Sequence, residues 1–279
     1  MIVHLIDGTY ELFRHFYGIR RFKNTDPPFG AVAGVLRTVV QLLEDGATHV
    51  GVATDHVIES FRNGLWADYK TGAGIEPVLR AQFFPLEESL TAMGVVVWPM
   101  VELEADDALA SAAHLAAQDE RVEKVCIWTP DKDLAQCVVD DRVVQVDGRR
   151  GVIRNAVDVH TKFGVAPEFI PDYLALVGDA ADGYPGLAGF GAKTAARLIE
   201  RYGRLEDFPP EVMKDDNRER ALLFKTLATL RIDAPLFNDV DELRWRGATA
   251  AFQTVAERIG EARLATRVQA QEKLLGGKL

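Results

Sequence analysis

Ile2-Val3-His4-Leu5-Ile6-Asp7 decides how the chain is read. A short apolar run that stops on an aspartate is what a buried strand of a parallel sheet looks like at its ligand-facing end. The pattern returns twice. His49-Val50-Gly51-Val52-Ala53 leads to Asp55, and Val125-Cys126-Ile127-Trp128 leads to Asp131. Val95-Val96-Val97-Trp98 reads as a further strand, and Arg142 to Asp147 as another. Between them, Phe29 to Leu43 carries Val32, Val35, Leu36, Val39, Leu42 and Leu43 at helical spacing, and Ala105 to Ala117 reads as a helix. Strands alternating with helices predict βαβ units and an α/β fold with a mostly parallel central sheet flanked by helices. From about Asp158 the strand signals stop, and the rest reads as helices with Gly/Pro turns. Glu59 to Gly74, rich in glycine and aromatics, is a long excursion from the sheet, and such excursions are often functional.

The chain has 279 residues, 48% apolar and 27% charged, the composition of an ordinary globular protein of one large or two small domains. No apolar run approaches the ~18–20 residues needed to cross a bilayer. The N-terminus lacks the basic region of a signal peptide, so no membrane and a cytoplasmic location are expected. Cys126 and Cys137 are too few for a zinc site or disulfide framework and read as reduced core thiols. Lys+Arg 32 against Asp+Glu 42 gives a net charge of −10, contrary to the usual basic footprint of a nucleic-acid protein. Concentration of the acids removes the contradiction. Setting aside nine carboxylates leaves 33 acids against 32 bases, a near-neutral remainder.

Those nine are Asp7, Asp55, Glu104, Asp106, Asp107, Asp131, Asp133, Asp179 and Asp182. Ligands of open α/β sheets bind beyond the carboxyl ends of the strands, where Asp7, Asp55 and Asp131 stand, with Asp133 two residues on. Glu104, Asp106 and Asp107 open a helix, whose first turn tolerates negative charge. Alone, that cluster is more often a cap than a ligand set, and acids two apart in a loop are common. Together with Asp179 and Asp182 the positions ask for another explanation. Like charges ~4 Å apart repel by several kcal/mol at low effective dielectric. Hard divalent ions such as Mg²⁺ and Mn²⁺ prefer oxygen ligands and resolve the repulsion. Acids in this number suggest two ions, and a pair ~3.5–4 Å apart is the standard device for phosphodiester hydrolysis.

Gly186-Leu187-Ala188-Gly189-Phe190-Gly191-Ala192-Lys193-Thr194 invites a phosphate-loop reading that its spacing rejects. Ala192 separates the last glycine from Lys193, and Thr194 stands where a dinucleotide fingerprint needs a third glycine. A helix, a tight glycine turn and a second helix from near Ala192 fit better, with backbone N–H groups suited to phosphate. Lys193, Arg197, Arg201 and Arg204 make this the clearest basic stretch, though a packing corner with a solvated basic face accounts for it equally well. In the excursion, Arg62, Tyr69 and Lys70 mix bases and aromatics that can neutralise phosphates and stack nucleobases. A solvated loop is the plainer reading of those three alone.

In order and spacing, Leu5-Ile6-Asp7-Gly8, Gly30 to Leu36, Phe61-Arg62, Tyr69-Lys70, Glu104 to Asp107, Asp131 to Gln136, Gly178 to Asp182 and Pro185 to Thr194 resemble the bacterial 5′→3′ exonucleases and flap endonucleases, including the nuclease domain of bacterial DNA polymerase I. The resemblance runs from about Ile2 to Leu236. It implies a PIN-like core over 1–157 with a helical arch over 56–90, and a helical part over 158–279 with a helix–hairpin–helix near 184–200. It implies two Mg²⁺ or Mn²⁺ ions, the first served by Asp7, Asp55, Glu104, Asp106, Asp107, Asp131 and Asp133. Asp179 and Asp182, with Asp131 and Asp133, would serve the second. Lys70 would contact the scissile phosphate as a catalytic group, with Arg62 its companion. Arg14, Tyr69, Gly186, Gly189, Gly191, Lys193, Thr194 and Arg197 would bind DNA, the hairpin around a K⁺. The expected substrate is branched or 5′-flap DNA, RNA-primed flaps included, cut by a free-standing monomer beside a replication polymerase. The pattern departs at Ala73 or Gly74, where the family has an arginine, and at Gly183, Thr129-Pro130 and Thr54. The alternative from another class is a DNA-junction binding protein with weak or no catalysis, and a PIN-type ribonuclease is a third reading. Thr249 to Leu275 is expected to be one helix.

Overall fold

The apolar runs that end in acids become the strands of one sheet. In the computed structural model, which describes residues 1–23 and 27–276, the chain begins β1 (Ile2–Asp7), α1 (Gly8–Lys23), α2 (Gly30–Glu44) and β2 (His49–Asp55). It continues through α3 (Pro77–Arg80), α4 (Phe83–Ala92), β3 (Val96–Met100), α5 (Ala105–Gln118), β4 (Lys124–Trp128), β5 (Val143–Asp147) and β6 (Val152–Arg154). Helices follow: α6 (Ala156–Phe163), α7 (Ile170–Val177), α8 (Ala192–Tyr202), α9 (Asp215–Ala228), α10 (Phe252–Arg258) and α11 (Ala262–Gly276). Among the described residues the sheet order is β3-β2-β1-β4-β5-β6. The first five strands run parallel, and β6 is antiparallel to β5. β1 is flanked by β2 and β4, so the order reverses beside it, and its carboxyl end opens onto the crevice where such sheets take ligands.

Two layers cover the sheet. On one face α1, α2 and α4 share a core with α10 and α11, in which Val35, Val39, Leu86, Leu90, Leu264 and Val268 are buried. The other face packs against α5, whose buried alanines (Ala105, Ala108, Ala112, Ala116) let the helix approach closely, and against Val240 and Leu243. The helical part has its own core around Leu174, Ile199, Phe208 and Phe224, and Tyr69 of the excursion is buried in it.

The structure adds detail at three places. Over 56–90 the chain is mostly non-helical. That stretch has a 3₁₀ turn at Phe61–Gly64 and the single turn of α3, while α4 lies in the core beneath. Gly64, Gly72 and Gly74, with no apolar period, give a helix nothing to bury. The expected C-terminal helix is two, α10 and α11, broken around Gly260, which takes φ +79° where a helix end favours glycine. β6 was not foreseen, because a three-residue edge strand with exposed Val152 and Ile153 has no buried run to betray it. Among the described residues no helix is long and apolar enough to cross a membrane.

Candidate metal centre

At the carboxyl ends of β1 and β2, Asp7, Asp55, Asp106 and Asp131 line a cavity of about 320 Å³ together with Thr9, Tyr10, Phe13 and Lys70. Asp7 and Asp55 are aimed by their surroundings. Asp7 Oδ1 accepts the Tyr10 N–H at 2.8 Å and Oδ2 the Thr129 hydroxyl at 3.1 Å. Asp55 Oδ1 accepts the Ala105 N–H at 2.8 Å, which ties β2 to the start of α5. Burial pushes the Asp7 carboxyl up to about 7, opposed by the Tyr10 N–H and reinforced by the charges of Asp55 and Asp131. Burial also raises Asp55, and it raises Asp106 well above the carboxylate range with Asp131 adding to the effect. Without added positive charge, burial favours the protonated forms of Asp7, Asp55 and Asp106.

A second group lies across the seam with the helical part. Asp133, Asp179 and Asp182 each offer a carboxylate oxygen, all within 4.8 Å of one another and all buried. Asp133 comes from the core, following Asp131, whose Oδ1 accepts its N–H at 2.9 Å. Asp179 and Asp182 come from a turn after α7, closed by the Asp179 N–H to Tyr184 carbonyl at 2.8 Å and the reverse bond at 3.0 Å. Lys132 Nζ stands 2.7 Å from Asp179 Oδ2. Lys70 Nζ bridges Glu104 Oε2 at 2.7 Å and Asp182 Oδ1 at 3.2 Å, next to both groups of acids. Burial, then the charges of Asp131, Asp182 and Asp179, raise Asp133 well above its ordinary value. Its Oδ1 is buried with no hydrogen-bond partner. An all-oxygen donor set with an orphaned buried acceptor fits a hard divalent cation.

The excursion is strapped to this second turn. The Lys70 N–H donates to the Asp182 carbonyl at 3.0 Å, and Trp66 Nε1 to the Gly183 carbonyl at 3.0 Å. Gly183 takes φ +85°, and a Cβ there would lie 2.0 Å from the Asp68 carbonyl oxygen, so the departure at this position is what lets the strap sit down. Gly186 has φ +67° and packs on Gly178, where a Cβ would meet the Gly178 nitrogen at 2.4 Å, seating the hairpin against the end of α7.

Several expected site residues face elsewhere. Arg62 is 1% exposed. It forks onto Asp107 with two bonds of 2.7 Å, reaches Glu104 Oε1 at 3.2 Å, and donates to the carbonyls of Leu227 and Thr229. It has no surface to offer a phosphate. Asp107 is filled by Arg62 and by the N–H groups of Glu104 and Arg231, so it caps and pairs and does not look into the cavity. Glu104 is shared among Arg62, Lys70 and the Ser60 hydroxyl, 2.6 Å away. Burial pushes Glu104 up, but Lys70 and Arg62 more than offset it and hold the carboxyl below its usual value. Tyr69 is 3% exposed, its hydroxyl 3.4 Å from Glu104 Oε2, and cannot stack a base. Arg14 pairs with Glu11 beside His15 and Thr38, partly buried between α1 and α2. Gly189, Gly191, Lys193 and Arg197 are exposed on the hairpin and α8, with Thr194 half-buried, and none lines the acidic cavity. Sequence reasoning passed over Lys132, Ser60 and Tyr184, and met Thr129 only as a departure from the family pattern. Only Lys132, flanked by two acids, carried a signal.

A parallel sheet whose carboxyl crest gathers acids, joined by further acids from a helical part with a glycine hairpin, defines a class of α/β proteins built to hold divalent cations. The chain belongs to the 5′-3′ exonuclease family: residues 2–164 match its N-terminal resolvase-like domain, and residues 165–251 its C-terminal SAM fold. It is 33% identical over 208 residues to the 5′-3′ exonuclease of Aquifex aeolicus, covering 74% of this chain and 71% of that one. It is 34% identical over 259 residues to DNA polymerase I of Pseudomonas aeruginosa, covering 86% of this chain but 28% of the polymerase. Its fold is similar to that of a bacteriophage T5 flap endonuclease solved as a pseudo-enzyme-product complex with DNA and metal ions, with a TM-score of 0.62, 17% identity and 98% of each chain covered.

Proposed function

We propose that this chain is a structure-specific 5′ nuclease that hydrolyses phosphodiester bonds at 5′ ends and 5′ flaps of branched DNA. The observation that carries the reading is the meeting of two carboxylate groups, one lining an open cavity and one buried, around one ammonium, Lys70. Asp7, Asp55, Asp106 and Asp131 would hold one Mg²⁺ or Mn²⁺, and Asp133, Asp179 and Asp182 the other. Divalent ions bound there supply a water of lowered pKa and stabilisation of the leaving oxygen. Lys70 is 25% exposed in the cavity wall and carries the positive charge that faces a phosphate entering it. Glu104 keeps that ammonium in place, and Arg62 and Asp107 hold Glu104. Gly186, Gly189, Gly191 and the first turn of α8, with Lys193, Thr194 and Arg197, would grip the duplex backbone, around a K⁺ held by hairpin carbonyls. The core over 1–157 would do the chemistry and the part over 158–279 the holding. The reading extends to a cytoplasmic monomer acting on flaps, RNA-primed ones included, that a replication polymerase leaves.

The test is cleavage of a labelled 5′-flap duplex in Mg²⁺, Mn²⁺ or EDTA, beside Asp133→Asn. Cutting near the flap base by the parent in metal only, with Asp133→Asn bound but inactive, is expected. A duplex bound and left uncut in both metals gives the answer to the junction-binding alternative, which the missing arch arginine favours.

A further inference from the structure

β2 ends in Thr54-Asp55, and His56 follows. Side chains alternate along a strand, so Asp55 turns one way and its two neighbours the other. Asp55 meets the Ala105 N–H at the start of α5, while Thr54 and His56 both meet α4. There a single carboxylate receives them. The Thr54 hydroxyl donates to Glu87 Oε1 at 2.8 Å, and His56 Nδ1 lies 2.8 Å from Glu87 Oε2. A carboxylate only accepts, so Nδ1 is the donor. One turn earlier on α4, Phe84 stands edge-on to the His56 ring, with ring centres 4.7 Å apart. The Thr54 methyl faces β1: a Cβ added at Gly8, the residue after Asp7, would lie 2.8 Å from Thr54 Cγ2. Thr54 and Glu87 are buried, and α4 also buries Phe83, Leu86 and Leu90. A carboxyl in such company is costly unless its oxygens find partners. Both oxygens of Glu87 go to the residues either side of Asp55.

We infer that Glu87 is a positioning residue of the first cation site: it clamps the tip of β2 on both sides of Asp55 and so sets where that carboxylate stands relative to Asp7, Asp106 and Asp131. The inference rests on the two-ion reading above. Functional groups of a site must be held to within about 0.5 Å by the packing and hydrogen bonds behind them. Bonds that orient ligating carboxylates are worth about 10–100-fold in metal affinity or activity. Glu87 does not line the acidic cavity and acts through the backbone of β2, which puts its effect at the lower end of that range. A mere tether between α4 and β2 would affect stability and leave cation affinity alone.

The experiment is calorimetric titration of the full chain with Mn²⁺ alone, without DNA and at one pH, beside urea unfolding in EDTA. The variants are Glu87→Leu, Glu87→Gln, Thr54→Val, Asp55→Asn and, as a control on the same helix, Leu90→Ala. The parent should bind two ions, and Asp55→Asn identifies the affinity that belongs to the first site. Glu87→Leu should weaken that affinity by about tenfold and keep the other. Glu87→Gln, whose amide oxygen still accepts from Thr54, should recover most of the loss. Thr54→Val, which keeps the shape and drops one of the two bonds, should fall between the parent and Glu87→Leu. Leu90→Ala should unfold at lower urea with both affinities unchanged. Equal affinities in parent and Glu87→Leu or, should that variant not fold, in parent and Thr54→Val overturn the inference and leave the two-ion reading standing. So does an equal loss in Leu90→Ala, which would mean that cation affinity follows the stability of α4 and not the bonds at the strand tip. A parent that binds fewer than two ions overturns the two-ion reading, and this inference with it.

Discussion

Arg62 uses all five of its guanidinium donors inside the protein, on Glu104, Asp107 and two carbonyls. Replacing it by methionine strands the Asp107 carboxylate in a dry site, and breaking such a pair from one side costs about 3–5 kcal/mol. Urea unfolding of Arg62→Met should show that loss, and a variant as stable as the parent would remove Arg62 from the framework. Gly183→Ala should cost about 1–3 kcal/mol by the same assay, because its φ is positive and the Asp68 carbonyl fills the space a Cβ needs. Asp7 sets a pH dependence. Its folded value of about 7 lies above the ordinary 3.8, so between those values the folded chain binds the extra proton. Stability therefore falls as pH rises from about 4 to 7 in EDTA, is free of this penalty below that window, and carries it in full above. Saturating Mg²⁺ should flatten the slope, since metal binding favours the carboxylate. Melts at pH 5, 6, 7 and 8, with and without Mg²⁺, check both halves. At this scale the acids were legible and their partners were not. Arg62 and Lys70 are two bases of one excursion, and only the tertiary fold sends one into the core and the other to the cavity.

The strands that end in acids were legible because a parallel strand buried on both faces must be apolar throughout and polar where it stops. β6, exposed and short, obeys no such constraint. The excursion was the least legible element. Its aromatic residues suggested a surface for stacking bases, whereas Trp66 packs edge-on against Phe224 at 5.2 Å and Tyr69 is buried with the helical part. Trp66→Ala removes both the ring contact and the bond to the Gly183 carbonyl. Residues 60–72 should then exchange amide hydrogens faster and be cut sooner by protease, while the amides of β1 and β4 stay protected. Unchanged exchange over 60–72 would mean that the strap is held by Arg62 and Lys70 alone.

The family match to the helical part ends at residue 251, but the packed core does not. Phe252, Val255, Leu264 and Val268 lie in one cluster with Val32, Val35 and Val39 of α2. Ion pairs of Arg267 with Glu44 and of Arg258 with Glu88 tie the same helices down. A chain cut at residue 251 would expose that apolar face and should lose its cooperative melt or aggregate, as light scattering on heating would show. A net charge of −10 gave no hint of a polyanion as substrate until the acids were counted as one place. The consequence reaches past chemistry. Asp133 follows strand β4 of the sheet, and Asp179 and Asp182 follow α7 of the helical part, with both cysteines free. A cation lodged among the three would be a rivet through two plates. Its arrival would tell each half that the other is correctly seated, and a misassembled chain would have no grip on the ion it needs.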